Sequence, residues 1–120
     1  MHLNHLDLSV PDVAAAVAFF ESAFGFCLLQ TKGRDGMAIL RGDAGFVLVL
    51  TRAAEAVYPK TFHIGFLEAS EDAVHAAYAR MTAAGIDVPS PPARMRDVLG
   101  FYCQVPGGIL VEVSCRAAQA

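Results

Sequence analysis

Gly45-Phe46-Val47-Leu48-Val49-Leu50 and Gly108-Ile109-Leu110-Val111-Glu112-Val113 are one short strand written twice, a turn glycine followed by apolar side chains with a single carboxylate in the second copy. What precedes each copy also repeats. Residues 3–10 alternate, with Leu6, Leu8 and Val10 on one face and His5, Asp7 and Ser9 on the other, which is the period of a half-buried strand. Pro11 ends that strand and Asp12 is a good helix N-cap. Val13, Val17, Phe20 and Phe24 then recur at helical spacing until Gly25 supplies a stop. Runs at 26–31, 37–40 and 46–50 follow, divided by glycine- and aspartate-containing turns at 33–36 and 42–45. Strand, helix and three strands make a βαβββ unit.

The order then begins again. A strand at 62–68 leads to a helix opened by Ser70, with Glu71 and Asp72 in its first turn, a stripe of Val74, Tyr78 and Met81, and Gly85 at its close. Strands at about 86–95, 100–105 and 109–115 complete the second unit, the last two joined by Pro106-Gly107-Gly108. His5 in the first strand of one unit lies over His63 in the first strand of the other. The expected fold is α+β: two βαβββ modules, over 1–52 and 61–120 with a linker at 53–60, in a single domain spanning 1–120. A mixed curved sheet would enclose a cavity and carry its helices on the outside.

At 120 residues and 55% apolar content the chain suits one domain with a real core. A net charge of -3 without a Lys/Arg cluster gives no footprint for nucleic acid or an anionic membrane. The start Met1-His2-Leu3-Asn4-His5 is not a basic segment leading into an apolar one, and no uncharged apolar stretch approaches the ~20 residues of a membrane span, so a cytoplasmic protein is expected. Cys27, Cys103 and Cys115 are odd in number and form no Cys-x-x-Cys pair, and they read as small buried hydrophobes.

In the strand holding His63, Phe62, Ile64 and Phe66 share one face while His63, Gly65 and Leu67 share the other. In the last strand, Glu112 shares its face with Leu110 and Ser114. If each apolar face meets a helix, His5, His63 and Glu112 all fall on the cavity side. Two imidazoles and a carboxylate are a recognised set for a divalent transition metal with open positions. The competing account leaves Glu112 at a wet cavity edge and gives the histidines hydrogen bonds alone. A carboxylate set in an apolar strand needs a partner, which favours the metal. Tyr102 is a candidate donor of a proton or hydrogen bond to a substrate oxygen, weighed against a plain packing role. Arg94 and Arg96 read as solvated surface before anion holders, His2 and His75 as surface, and Phe19, Phe20, Phe24, Phe62 and Phe66 as core.

The stretches His5-Leu6-Asp7-Leu8-Ser9-Val10-Pro11-Asp12, His63 through Arg80-Met81 to Ala84-Gly85-Ile86, and Phe101-Tyr102-Cys103-Gln104-Val105-Pro106-Gly107-Gly108 leading to Glu112 resemble the vicinal oxygen chelate superfamily of glyoxalases, bleomycin-resistance proteins and extradiol dioxygenases. The resemblance implies that His5, His63 and Glu112 hold a divalent metal ion, Fe(II), Mn(II), Zn(II), Ni(II) or Co(II), that chelates a small oxygenated substrate through two neighbouring oxygens. It also implies a homodimer. Glyoxalase I carries a ligating glutamate where this chain has Val49, so lactoylglutathione lyase activity is disfavoured. Extradiol dioxygenases have a tyrosine ten residues before the glutamate ligand, as Tyr102 stands here, but also cavity histidines that the 94–100 stretch lacks, and an acidic residue where this chain has Val105. Fosfomycin-resistance thiol transferases share the triad but have threonine in place of Asp7. Two functions follow: a metal-dependent enzyme acting as dioxygenase, lyase or thiol transferase, or a non-catalytic small-molecule binding protein of the bleomycin-resistance kind.

Overall fold

The structure is a computed structural model that describes residues 1–116. Each half of the sequence builds a four-stranded sheet with one helix, and the chain divides into two units, Met1–Val57 and the remainder from Tyr58. The first unit comprises β1 (His5–Val10), α1 (Val13–Phe24), β2 (Cys27–Lys32), β3 (Met37–Arg41) and β4 (Val47–Arg52). The second comprises β5 (His63–Leu67), α2 (Glu71–Ala83), β6 (Ala93–Met95), β7 (Val98–Gln104) and β8 (Leu110–Arg116). Strand orders are β1-β4-β3-β2 and β5-β8-β7-β6. In both sheets the first strand lies parallel to the last and the remaining pairs are antiparallel.

The helix ends follow the capping residues. The Asp12 carboxylate accepts from the Ala15 amide at 3.0 Å, and Gly25 closes α1 in the left-handed conformation at φ 68°. Ser70 caps α2 in the same way, its Oγ accepting from the Ala73 amide at 3.1 Å. One sheet face in each unit is sealed by its helix. Leu8, Val10, Leu40, Leu48 and Leu50 are buried with Val13 and Phe20 in the first, and Phe101, Cys103, Val111 and Val113 with Val74, Ala77 and Met81 in the second. Full burial of a side chain such as Phe20 or Leu50 contributes roughly 1.5–3 kcal/mol. The alternate residues of the same strands look out from the other face and, apart from the buried Gly100 and Ser114, are at most partly covered. No helix among the described residues is long and apolar enough to cross a membrane.

Three expectations are corrected. The strand expected over 86–95 shrinks to Ala93–Met95, because prolines at 89, 91 and 92 have no N–H for a ladder. Cys27 is exposed, unlike the buried Cys103 and Cys115. It opens β2, an edge strand whose six residues all face solvent. Phe19 and Phe20 are core, whereas Phe24, Phe62 and Phe66 are half-buried.

Candidate functional site

On the open face of the second sheet the register sets up a row across three strands: Tyr102 on β7, Glu112 on β8 and Gly65 on β5. The Tyr102 hydroxyl donates to Glu112 Oε1 at 3.3 Å. Oε2 faces His63 Nε2 at 4.0 Å. Gly65 lies against that carboxylate: a Cβ at residue 65 would stand 3.7 Å from Oε2, in ordinary van der Waals contact. The His63 ring meets the Tyr102 ring edge-on, with centroids 6.3 Å apart. Glu112 keeps 23% of its side chain exposed and His63 45%, so the cluster is reachable from solvent.

His63 is oriented from behind. Its Nδ1 lies 2.9 Å from the Thr61 carbonyl oxygen, which can only accept, so Nδ1 carries the proton and in the neutral ring Nε2 turns a lone pair toward Glu112. This is the arrangement in which a histidine serves as a metal ligand with its second nitrogen fixed by an acceptor. One ion bound at about 2.0–2.2 Å by both residues at a tetrahedral angle would bring Nε2 and Oε2 to roughly 3.4 Å apart. The observed 4.0 Å is longer by about half an ångström, a gap that a small side-chain rotation closes. An imidazole nitrogen and a carboxylate oxygen are donors of the type that a divalent transition metal takes.

Tyr102 is held in its neutral form. Burial, followed by the negative charge of Glu112 and the hydrogen bond to it, raises its pKa above the usual 10.0. The hydroxyl therefore keeps its proton through neutral pH, which suits it to donate and not to act as a base.

The first unit carries a parallel arrangement with one exchange. His5 Nδ1 lies 2.7 Å from Asn4 Oδ1, which again leaves Nε2 free to act as a ligand. The rung equivalent to Gly65 and Glu112 holds Asp7 and Val49. The carboxylate has moved from the last strand to the first, and there Asp7 accepts the Thr51 hydroxyl at 2.8 Å. Of the four residues singled out from sequence, the structure gathers His63, Glu112 and Tyr102, while His5 belongs to the first unit. Among the described residues no three His, Cys, Asp or Glu side chains stand together as a metal-binding group. Sequence reasoning missed Thr61 and Asn4, whose one signal is a place within two residues of a histidine; alternation put Gly65 on this face but not against the carboxylate.

Arg94 plays no part in this face. It sits on the helix side of β6 and pairs with Glu71 at 2.7 Å. Beside Tyr102 the open face sinks into a pocket of about 360 Å³.

A model of the Glyoxalase/Bleomycin resistance protein/Dioxygenase superfamily matches residues 2–113. Among solved structures, the chain is similar to a possible glyoxalase from Bacillus cereus, at 40% identity and a TM-score of 0.85 over 96% of this chain and 99% of that one. It is also similar to a glyoxalase/bleomycin resistance protein/dioxygenase from Nocardioides, at 25% identity and a TM-score of 0.81 over 100% and 86% of the two chains. An uncharacterized protein of Pseudomonas aeruginosa is 30% identical over 125 residues, covering 93% of this chain and 86% of its own.

Proposed function

Since the chain belongs to the Glyoxalase/Bleomycin resistance protein/Dioxygenase superfamily, we propose that it is a metal-dependent enzyme acting on a small oxygenated substrate. The observation that carries this is His63, fixed through Nδ1 to Thr61, presenting Nε2 to Glu112 Oε2 at 4.0 Å. His63 and Glu112 would hold the ion, with His5 as third ligand on the strength of its matching position in the repeat and its matching anchor on Asn4. A bound divalent ion supplies Lewis acidity toward two neighbouring oxygens of a substrate. The set suits Fe(II), Mn(II), Zn(II), Ni(II) or Co(II).

The remaining chemistry belongs to the chain's own side chains. Tyr102 offers a protonated hydroxyl at the edge of the site, and its partner Glu112 positions it. The hydroxyl has a single proton, so in this role it would turn that proton from Glu112 Oε1 to a substrate oxygen on which negative charge builds. Val49, lying in the rung where Glu112 lies in the second unit, supplies no carboxylate for proton transfer, so lactoylglutathione lyase is not the proposed reaction. A homodimer is part of the proposal. Leu29 on the exposed edge strand and Leu67 on β5, 52% and 71% exposed, are apolar surface that a second copy would cover.

Metal content of protein purified without chelators tests this, measured beside His5→Ala, His63→Ala and Glu112→Gln. The expected result is about one equivalent of transition metal per chain, lost in each variant. A wild type that is metal-free and takes up none of the five ions would overturn the enzyme and favour a binding protein, for which the pocket beside Tyr102 is the supporting feature.

A further inference from the structure

Among the described residues, the pocket beside Tyr102 has no charged side chain in its walls. Its lining includes Ala93, Met95, Tyr102 and Leu110 from the second sheet, and Pro89 and Pro91 from the segment before β6. Prolines have no N–H to offer, so these two present ring methylenes and not donors. Among the described residues, the polar side chains at the boundary are those of Ser90 and Tyr102. Arg94, the nearest cation in the strand, is turned to the helix face and occupied by Glu71. Tyr102 belongs to both regions: its ring lines the pocket while its hydroxyl donates to Glu112.

Size and charge together define an occupant. An apolar cavity of about 150 Å³ holds a benzene ring, so a half-open pocket of about 360 Å³ takes one ring with a short substituent, roughly ten non-hydrogen atoms. An anionic group placed there would give up hydration without meeting a counter-charge. We propose that this pocket receives the uncharged apolar part of the substrate, a single ring or an equally compact aliphatic group, while oxygens of the same molecule face His63 and Glu112. The substrate class is thereby narrowed to small neutral oxygenated molecules, and glutathione conjugates, with two carboxylates, are disfavoured. Calling the occupant a substrate rests on the function proposed above; the preference of the pocket for a neutral apolar group does not.

The two are separated by titrating the isotope-labelled full chain, stripped of metal, with benzyl alcohol, benzoate and glutathione, and following backbone amide shifts. Benzyl alcohol should move the amides of Ala93, Met95, Tyr102 and Leu110, and should bind at least about tenfold more tightly than either anion. Ala93→Phe, at an exposed position of a short edge strand, fills the pocket and should weaken benzyl alcohol by a similar factor with the spectrum otherwise preserved. Shifts confined to other surfaces, anions bound as tightly as the alcohol, or unchanged binding in Ala93→Phe would each overturn the proposal. A chain that binds benzyl alcohol here yet takes up no metal would sink the metal-dependent function alone, and one that binds metal but not the alcohol would do the reverse.

Discussion

Tyr102 stands directly opposite Glu112 on neighbouring antiparallel strands, and the hydrogen bond between them, 3.3 Å from hydroxyl to Oε1, couples the ionisation of one to the charge of the other. Because burial and Glu112 raise the Tyr102 pKa, the stability it contributes is present in full below pH ~10 and declines as pH rises through its higher folded value. Ultraviolet titration should show one of the chain's three tyrosines ionising late. Tyr102→Phe should remove that component, and Glu112→Gln should bring it back toward 10.0. A late component that survives Tyr102→Phe would assign it elsewhere.

The anchor of His5 gives a prediction independent of the ligand itself. Loss of an oxygen that fixes the second nitrogen of a ligating histidine typically weakens metal binding by about 10- to 100-fold. Asn4→Ala, at an exposed position outside the strands, should do this without loss of thermal stability. Competition against a chelator of known affinity measures it. An unchanged affinity would remove His5 from the ligand set.

Val49 and Asp7 face each other across β4 and β1. Val49→Glu would set a second carboxylate against the first, and like charges facing across neighbouring strands cost on the order of 0.5 kcal/mol. The melting temperature should fall in Val49→Glu and recover when Asp7→Asn is added. Recovery is the diagnostic part, because a packing defect at Val49 would not respond to the charge at residue 7.

Thiol labelling at neutral pH should find one fast site among three. Cys27 is exposed on the edge strand, while Cys103 and Cys115 are buried and burial pushes the Cys103 thiol up to about 11, so little thiolate is available there. Cys27→Ser should abolish fast labelling, and the other two should react only on unfolding.

Where local chemistry decides structure, the sequence was readable. Asp12 and Gly25 bracket α1 as expected because a capping carboxylate and a left-handed glycine act within one turn of the helix they end. The duplicated strands set His5 over His63 and Glu112 over Val49, and the registers agree. Partner choice was not readable. Arg94 could have faced either side of β6, and only the three-residue length of that strand and its pairing with Leu99 put it beside Glu71. The exposure of Cys27 depends on β2 lying at a sheet edge, which is a property of strand order and not of the residues around the cysteine.

Alternation along β8 divides its labour residue by residue. Val111, Val113 and Cys115 are packed under α2, while Leu110 and Glu112 look out from the opposite face. Variation at 110 and 112 can thus retune what the open face recognises with little disturbance of the folded state, and variation at 111, 113 and 115 is confined by volume. Such a strand lets selection act on chemistry and on packing through separate positions, each a single peptide bond from the other.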